Sequence, residues 1–146
     1  MLKGDFLQRL QPAGRLAPES RRAYERAVEI LTRGVAMDRA FNEAHRQEEL
    51  ARGRINSEMA PAGFEELYYS LAAANVRLGK NDDAVTAAVQ AAILSPQYTD
   101  AYTVMGIALS AENRKEDAAI ALLEGLLISG DEKFLPLLRT TYKSGI

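Results

Sequence analysis

The chain has 146 residues, 47% hydrophobic and 26% charged, with ten glycines and five prolines; this suffices for one domain with a core, is too short for two, and excludes a disordered or fibrous chain. A formal net charge of −2 gives no general attraction to nucleic acid or to an anionic membrane. With no cysteine, neither disulfides nor thiol chemistry are available.

No apolar run approaches the roughly 20 residues that span a bilayer, so no direct membrane insertion is expected. Met1–Leu10 carries Lys3, Asp5 and Arg9 and no apolar stretch. That is not a signal peptide, and a cytoplasmic location is favoured. Residues 1–60 hold 11 Lys and Arg against 9 Asp and Glu, and residues 61–146 hold 7 against 11. The arginines of the first half interleave with glutamates, as in Arg21-Arg22-Ala23-Tyr24-Glu25-Arg26. Such a run reads as a solvated helix face, not a phosphate-binding patch, and nucleic acid is not an expected partner.

In chain order, Asp5–Leu10 reads as a short helical turn followed by a loop. Pro18-Glu19-Ser20 opens a strong helix. Ala23, Ala27, Ile30, Leu31 and Gly34 recur at helical spacing and carry it to about Met37. A second, mostly polar helix is expected over Ala40–Arg52, with Phe41, Ala44, Leu50 and Ala51 as its apolar stripe. Gly53–Gly63, containing Asn56-Ser57 and Pro61, is the clearest break. It divides residues 1–60, N-terminal helices with the look of a degenerate repeat, from residues 61–146.

Beyond the break the chain repeats itself at a shift of 34 residues. Tyr68 falls on Tyr102, Leu71 on Met105, Ala72 on Gly106 and Asn75 on Leu109; Ala84 falls on Ala118, Ala88 on Leu122, Ala91 on Gly125 and Pro96 on Gly130. Between the halves, Gly79-Lys80-Asn81-Asp82 matches Asn113-Arg114-Lys115-Glu116. Gly and Asn are the residues that most readily take a left-handed helix cap, and the acids then lie where a helix N-terminus favours negative charge. Helices are expected near residues 64–78, 82–95, 99–112 and 116–129. A last one, near 133–143 with Phe134, Leu135, Leu137 and Leu138, would cover the open end. About seven helices and no sheet are expected.

This pattern resembles the tetratricopeptide repeat, whose 34-residue units carry large and small residues in that order. Tyr68, Leu71, Ala72, Ala84, Ala91 and Pro96 fit one unit (65–98). Tyr102, Met105, Gly106, Leu109, Ala118, Leu122 and Gly125 fit the next (99–132). Asn75, Ala88 and Gly130 depart from it. Ala27, Leu31 and Gly34 look like the second-helix half of an earlier, weaker copy. The resemblance implies an all-α fold of helix-turn-helix units stacked into a short right-handed superhelix. It also implies a scaffold or adaptor that binds a peptide or helix of another protein on the concave face of its first helices. In that register the partner-facing residues are Glu66, Tyr69, Ala73, Val76 and Arg77 in one unit and Thr103, Ile107 and Ser110 in the next. Family members that hold acidic chaperone tails carry a clamp of Lys, Asn and Arg; here those places hold Tyr69, Ala73, Val104, Phe134 and Leu138, so such tails should not bind.

Catalytic and metal chemistry find no support in the residues. His45 is the only histidine, and a lone helical histidine is more often a surface or packing residue than a ligand. Glu48-Glu49, Glu65-Glu66 and Asp82-Asp83 are sequence neighbours, which on a helix point about 100° apart. Gly79-Lys80-Asn81 lacks the spacing of a phosphate loop. No enzyme, cofactor or metal is expected. The alternative is a structural or regulatory tail of a larger protein, with the groove filled by its own N-terminal helices or by a second copy.

Overall fold

The computed structural model describes residues 16–53 and 63–143, and every regular element among them is α-helical. Six helices follow one another: α1 (Pro18–Ala51), α2 (Glu65–Arg77), α3 (Asn81–Leu94), α4 (Thr99–Ala111), α5 (Lys115–Ser129) and α6 (Phe134–Lys143). Each packs on the next, and α2 also touches α4, as α4 touches α6. The expected turn at Asp5–Leu10 lies outside the described residues, as does most of the Gly53–Gly63 break.

The two helices expected over Pro18–Met37 and Ala40–Arg52 are one, 34 residues long. Between Met37 and Ala40 there is no Gly or Pro to stop it. Polar residues at the supposed joint serve the helix instead. Asn42 Nδ2 donates to the Asp38 carbonyl at 2.8 Å, and Asp38 Oδ2 accepts the Phe64 N–H at 3.1 Å, which ties α1 to the start of α2. Pro18 at the first turn fits there because the ring's fixed φ suits it and its missing N–H would have had no helical partner.

The two tight turns explain the recurrence at 34 residues. Gly79 (φ 76°) and Asn113 (φ 60°) both take the left-handed conformation. Lys80 N–H then reaches the Asn75 carbonyl and Arg114 N–H the Leu109 carbonyl, each at 2.9 Å. These paired caps satisfy carbonyls that the helix ends would leave open. Asp82, Asp83, Glu116 and Asp117 lie in the first turns of the helices that follow, where the helix dipole favours them.

The core runs along α2–α5 and is built at the small residues. Ala72, Ala84, Ala88, Ala91 and Ala118 have no exposed surface. A Cβ on Gly106 would strike the Leu122 side chain, and one on Gly125 would come within 2.5 Å of the Phe134 ring. Helices therefore approach at the small positions, while Leu122 and Phe134 fill the space beside them, each burial contributing about 1.5–3 kcal/mol. Lys133 Nζ bonds Asp100 Oδ1 at 3.0 Å and fixes the start of α6 to α4. Because Ala84 and Ala118 leave no room for further carbons, Ala84→Leu and Ala118→Leu should each lower stability by about 1–3 kcal/mol. Urea midpoints measure this; two variants that unfold with the parent would mean that the crossings lie elsewhere.

Candidate partner-binding surfaces

The residues expected to face a partner divide by burial. Glu66 is exposed, and Tyr69, Ala73, Arg77, Ile107 and Ser110 are half-buried. Val76 and Thr103 do not face outward: they are 3% and 2% exposed. Val76 joins the main core cluster. Thr103 is covered because α4 is the central helix, packed against α2, α3, α5 and α6.

Arg77 is also engaged, since its guanidinium lies over the Tyr24 ring of α1, 5.4 Å from the centroid. Ser110 Oγ lies 3.4 Å from Thr141 Oγ1 on α6. What remains is a strip on two neighbouring helices, Glu66, Tyr69 and Ala73 on α2 with Ile107 on α4. Tyr98, in the α3–α4 connection, joins it by meeting Tyr69 edge-on with ring centroids 5.4 Å apart. Tyr98 lies between two helices, so helical periodicity in the sequence does not place it on a binding face.

This aromatic pair sits in an acidic setting. Burial pushes the Tyr98 hydroxyl up to about 12, helped by Asp100, Glu66 and Glu65. Burial and Asp100 likewise raise Tyr69 well above its ordinary range. Tyr102 is raised mainly by burial, and its hydroxyl donates to the Pro96 carbonyl at 3.0 Å.

A second feature is a cleft of about 330 Å³ between α1 and α3, over α2. Val28 and Val35 line it from α1, Leu71 and Asn75 from α2, and Ala87 and Gln90 from α3. Asn75 is 3% exposed, and its Oδ1 has no hydrogen-bond partner among the described residues. In the next unit Leu109 stands in its place, buried in the core. A buried amide oxygen without a partner costs about 1–3 kcal/mol, so the first unit carries a polar defect that the second lacks.

His45 is exposed. Among the described residues no three His, Cys, Asp or Glu side chains gather as a metal site would require. No described helix is long and apolar enough to cross a membrane. Comparison with protein-family models, curated proteins and solved structures returns no match.

Two measurements follow from these environments. Asn75→Leu should raise stability by about 1–3 kcal/mol, seen as a higher denaturation midpoint; a lower one would mean that the amide is satisfied or the cleft cannot take the methyl groups. Tyr98 and Tyr69 have folded pKa values above their unfolded value of about 10, so their neutral forms stabilise the fold. That contribution is full below pH 10 and is lost as pH rises toward 12. Stability should fall over that window, and less steeply in Tyr98→Phe. A variant with an unchanged alkaline slope would show that Tyr98 ionises freely.

Proposed function

We propose that the chain is a protein-interaction module of the tetratricopeptide kind, a short right-handed superhelix that holds a helix or an apolar peptide of another protein against α2 and α4. The observation that carries this reading is the strip formed by Glu66, Tyr69, Ala73 and Ile107. Glu66 is exposed, and Tyr69, Ala73 and Ile107 are half-buried at the edge of the core, on two touching helices. Tyr69 suits an anchor: an aromatic ring offers large contact area for few rotatable bonds and is frequent at binding hot spots. Its edge-on contact with Tyr98, with Ala73 one turn along the same helix, favours an amphipathic helix or apolar segment, with Glu66 selecting a cation at one edge. No cofactor takes part.

The alternative role, a structural or regulatory tail of a larger protein, draws its support from α1. Tyr24 already covers Arg77, so one end of the strip is occupied from within the chain.

Tyr69→Ala with Ile107→Ala tests the first reading. Partners recovered by cross-linking to the parent chain should be lost from the double variant while it is still folded, its melting temperature lowered but its helical circular dichroism retained. Unchanged recovery would move the interface elsewhere; an unfolded variant would place both side chains in the core. An acidic chaperone-tail peptide, titrated against the chain, should show no micromolar binding, because Val104, Phe134 and Leu138 are buried and none offers a cation or an amide to a carboxylate.

A further inference from the structure

The floor of the cleft between α1 and α3 carries a buried amide that its surroundings leave unsatisfied. Asn75 is 3% exposed, lines the cleft, and has no hydrogen-bond partner for Oδ1 among the described residues. An amide oxygen accepts, so the missing partner is an N–H or O–H donor. The rest of this part of the cleft is apolar. Leu71 lies one turn back along α2, Val28 and Val35 stand on α1, and Ala87 stands on α3. Small-molecule pockets have this make-up, an apolar hollow with a few convergent polar groups, and volumes of roughly 300–1,000 Å³. At about 330 Å³ the cleft falls at the lower end of that range.

The end of the cleft at Asn75 is also charged. Lys80 lines it from just before α3, and Asp83 from the first turn of α3. Lys80 N–H bonds the Asn75 carbonyl at 2.9 Å, and one helical turn separates Lys80 from Asp83. The ammonium, the carboxylate and the buried amide therefore share one end of the cleft. Neither charge has an ion-pair partner among the described residues.

The second unit has the same positions without such a site. Leu109 stands 34 residues after Asn75, and Arg114 and Asp117 stand 34 after Lys80 and Asp83. Arg114 Nε and Nη2 donate to Asp117 Oδ2 at 3.0 and 2.8 Å. There the floor is apolar and the two charges satisfy each other. The stack thus forms without an amide on the floor and without open charges, and the first unit departs from it where three side chains converge on the cleft.

We infer that the cleft binds a free α-amino acid with an aliphatic side chain. The ligand's ammonium donates to Asn75 Oδ1 and pairs with Asp83, its carboxylate pairs with Lys80, and its side chain lies along Leu71 between Val28 and Ala87. A zwitterion answers an acceptor, an anion and a cation gathered at one end of an apolar hollow. A simple amine would leave Lys80 facing a like charge, and a simple carboxylate has no proton for Oδ1. Arg39 lines the opposite end, beside Tyr68 at the start of α2, so a basic side chain would approach a like charge there. The site shares no residue with the strip on α2 and α4 and is independent of it.

Leucine, titrated into the isotopically labelled full chain, should shift the side-chain amide signals of Asn75 saturably; those signals are the ones missing from Asn75→Leu. It should also raise the melting temperature of the parent, because a ligand of the folded state stabilises that state. Asn75→Leu, which takes the second unit's residue, should fold with a higher denaturation midpoint and gain nothing further from leucine. Lys80 and Asp83 are exposed, so Lys80→Met and Asp83→Asn should fold as the parent does. Each should bind leucine about tenfold more weakly, the loss of one charge-assisted hydrogen bond. Isoamylamine and isocaproate keep the apolar body with one charge each, and should bind more weakly than leucine by about the same factor. No response to leucine, binding that survives Asn75→Leu, or either control binding as tightly as leucine would overturn the inference.

Discussion

Where two helices of this chain cross, one of them offers almost no side chain. Gly106 lies under Leu122 and Gly125 under the Phe134 ring, while Ala72, Ala84, Ala91 and Ala118 are wholly buried. Close approach at these points sets the separation of each helix pair. The separation in turn decides that a leucine or phenylalanine fills the flanking space without a void. The left-handed caps at Gly79 and Asn113 set the other variable, the reversal of direction between first and second helices. With both fixed, α2–α5 form a stack in which every neighbour is specified locally.

The accessible surfaces follow from which helices this stack consumes. α4 touches four others and keeps little free side-chain surface, so of its three expected partner-facing residues Thr103 is lost to the core and Ile107 and Ser110 remain half-open. α2 has fewer neighbours and keeps Glu66, Tyr69 and Ala73 accessible. α1 is the extreme case: Tyr24, Val28, Leu31, Val35 and Asp38 lie on its inner side, and its opposite side carries the exposed Ile30, Met37 and Phe41. At the other side of the stack α6 packs on α5 and α4.

The sequence made the all-helical class and the positions of α2–α6 legible to within a residue or two, because small residues 34 apart and the Gly and Asn turns each mark a backbone event. It misplaced the joint in α1. No residue between Met37 and Ala40 stops a helix, and Asp38 accepts the Phe64 N–H at the start of α2. It also overcounted the outward residues. Val76 and Thr103 were expected to face outward by resemblance alone, and both are buried. The Asn75 defect was visible as a departure from the repeat pattern, although only the packing shows that its carbonyl oxygen lacks a partner. The edge-on Tyr69–Tyr98 contact depends on how a loop approaches a helix, which no periodicity reports.

Amide hydrogen exchange along α1 tests this account most directly, because the helix should behave as two halves. Residues 24–38 pack against α2 and should exchange slowly, with protection close to that of α2 itself. The stretch after Asn42, which extends past the start of α2 and is mostly exposed, should exchange much faster. Uniform protection from residue 24 to residue 51, or none over residues 24–38, would contradict the packing of α1 on the stack.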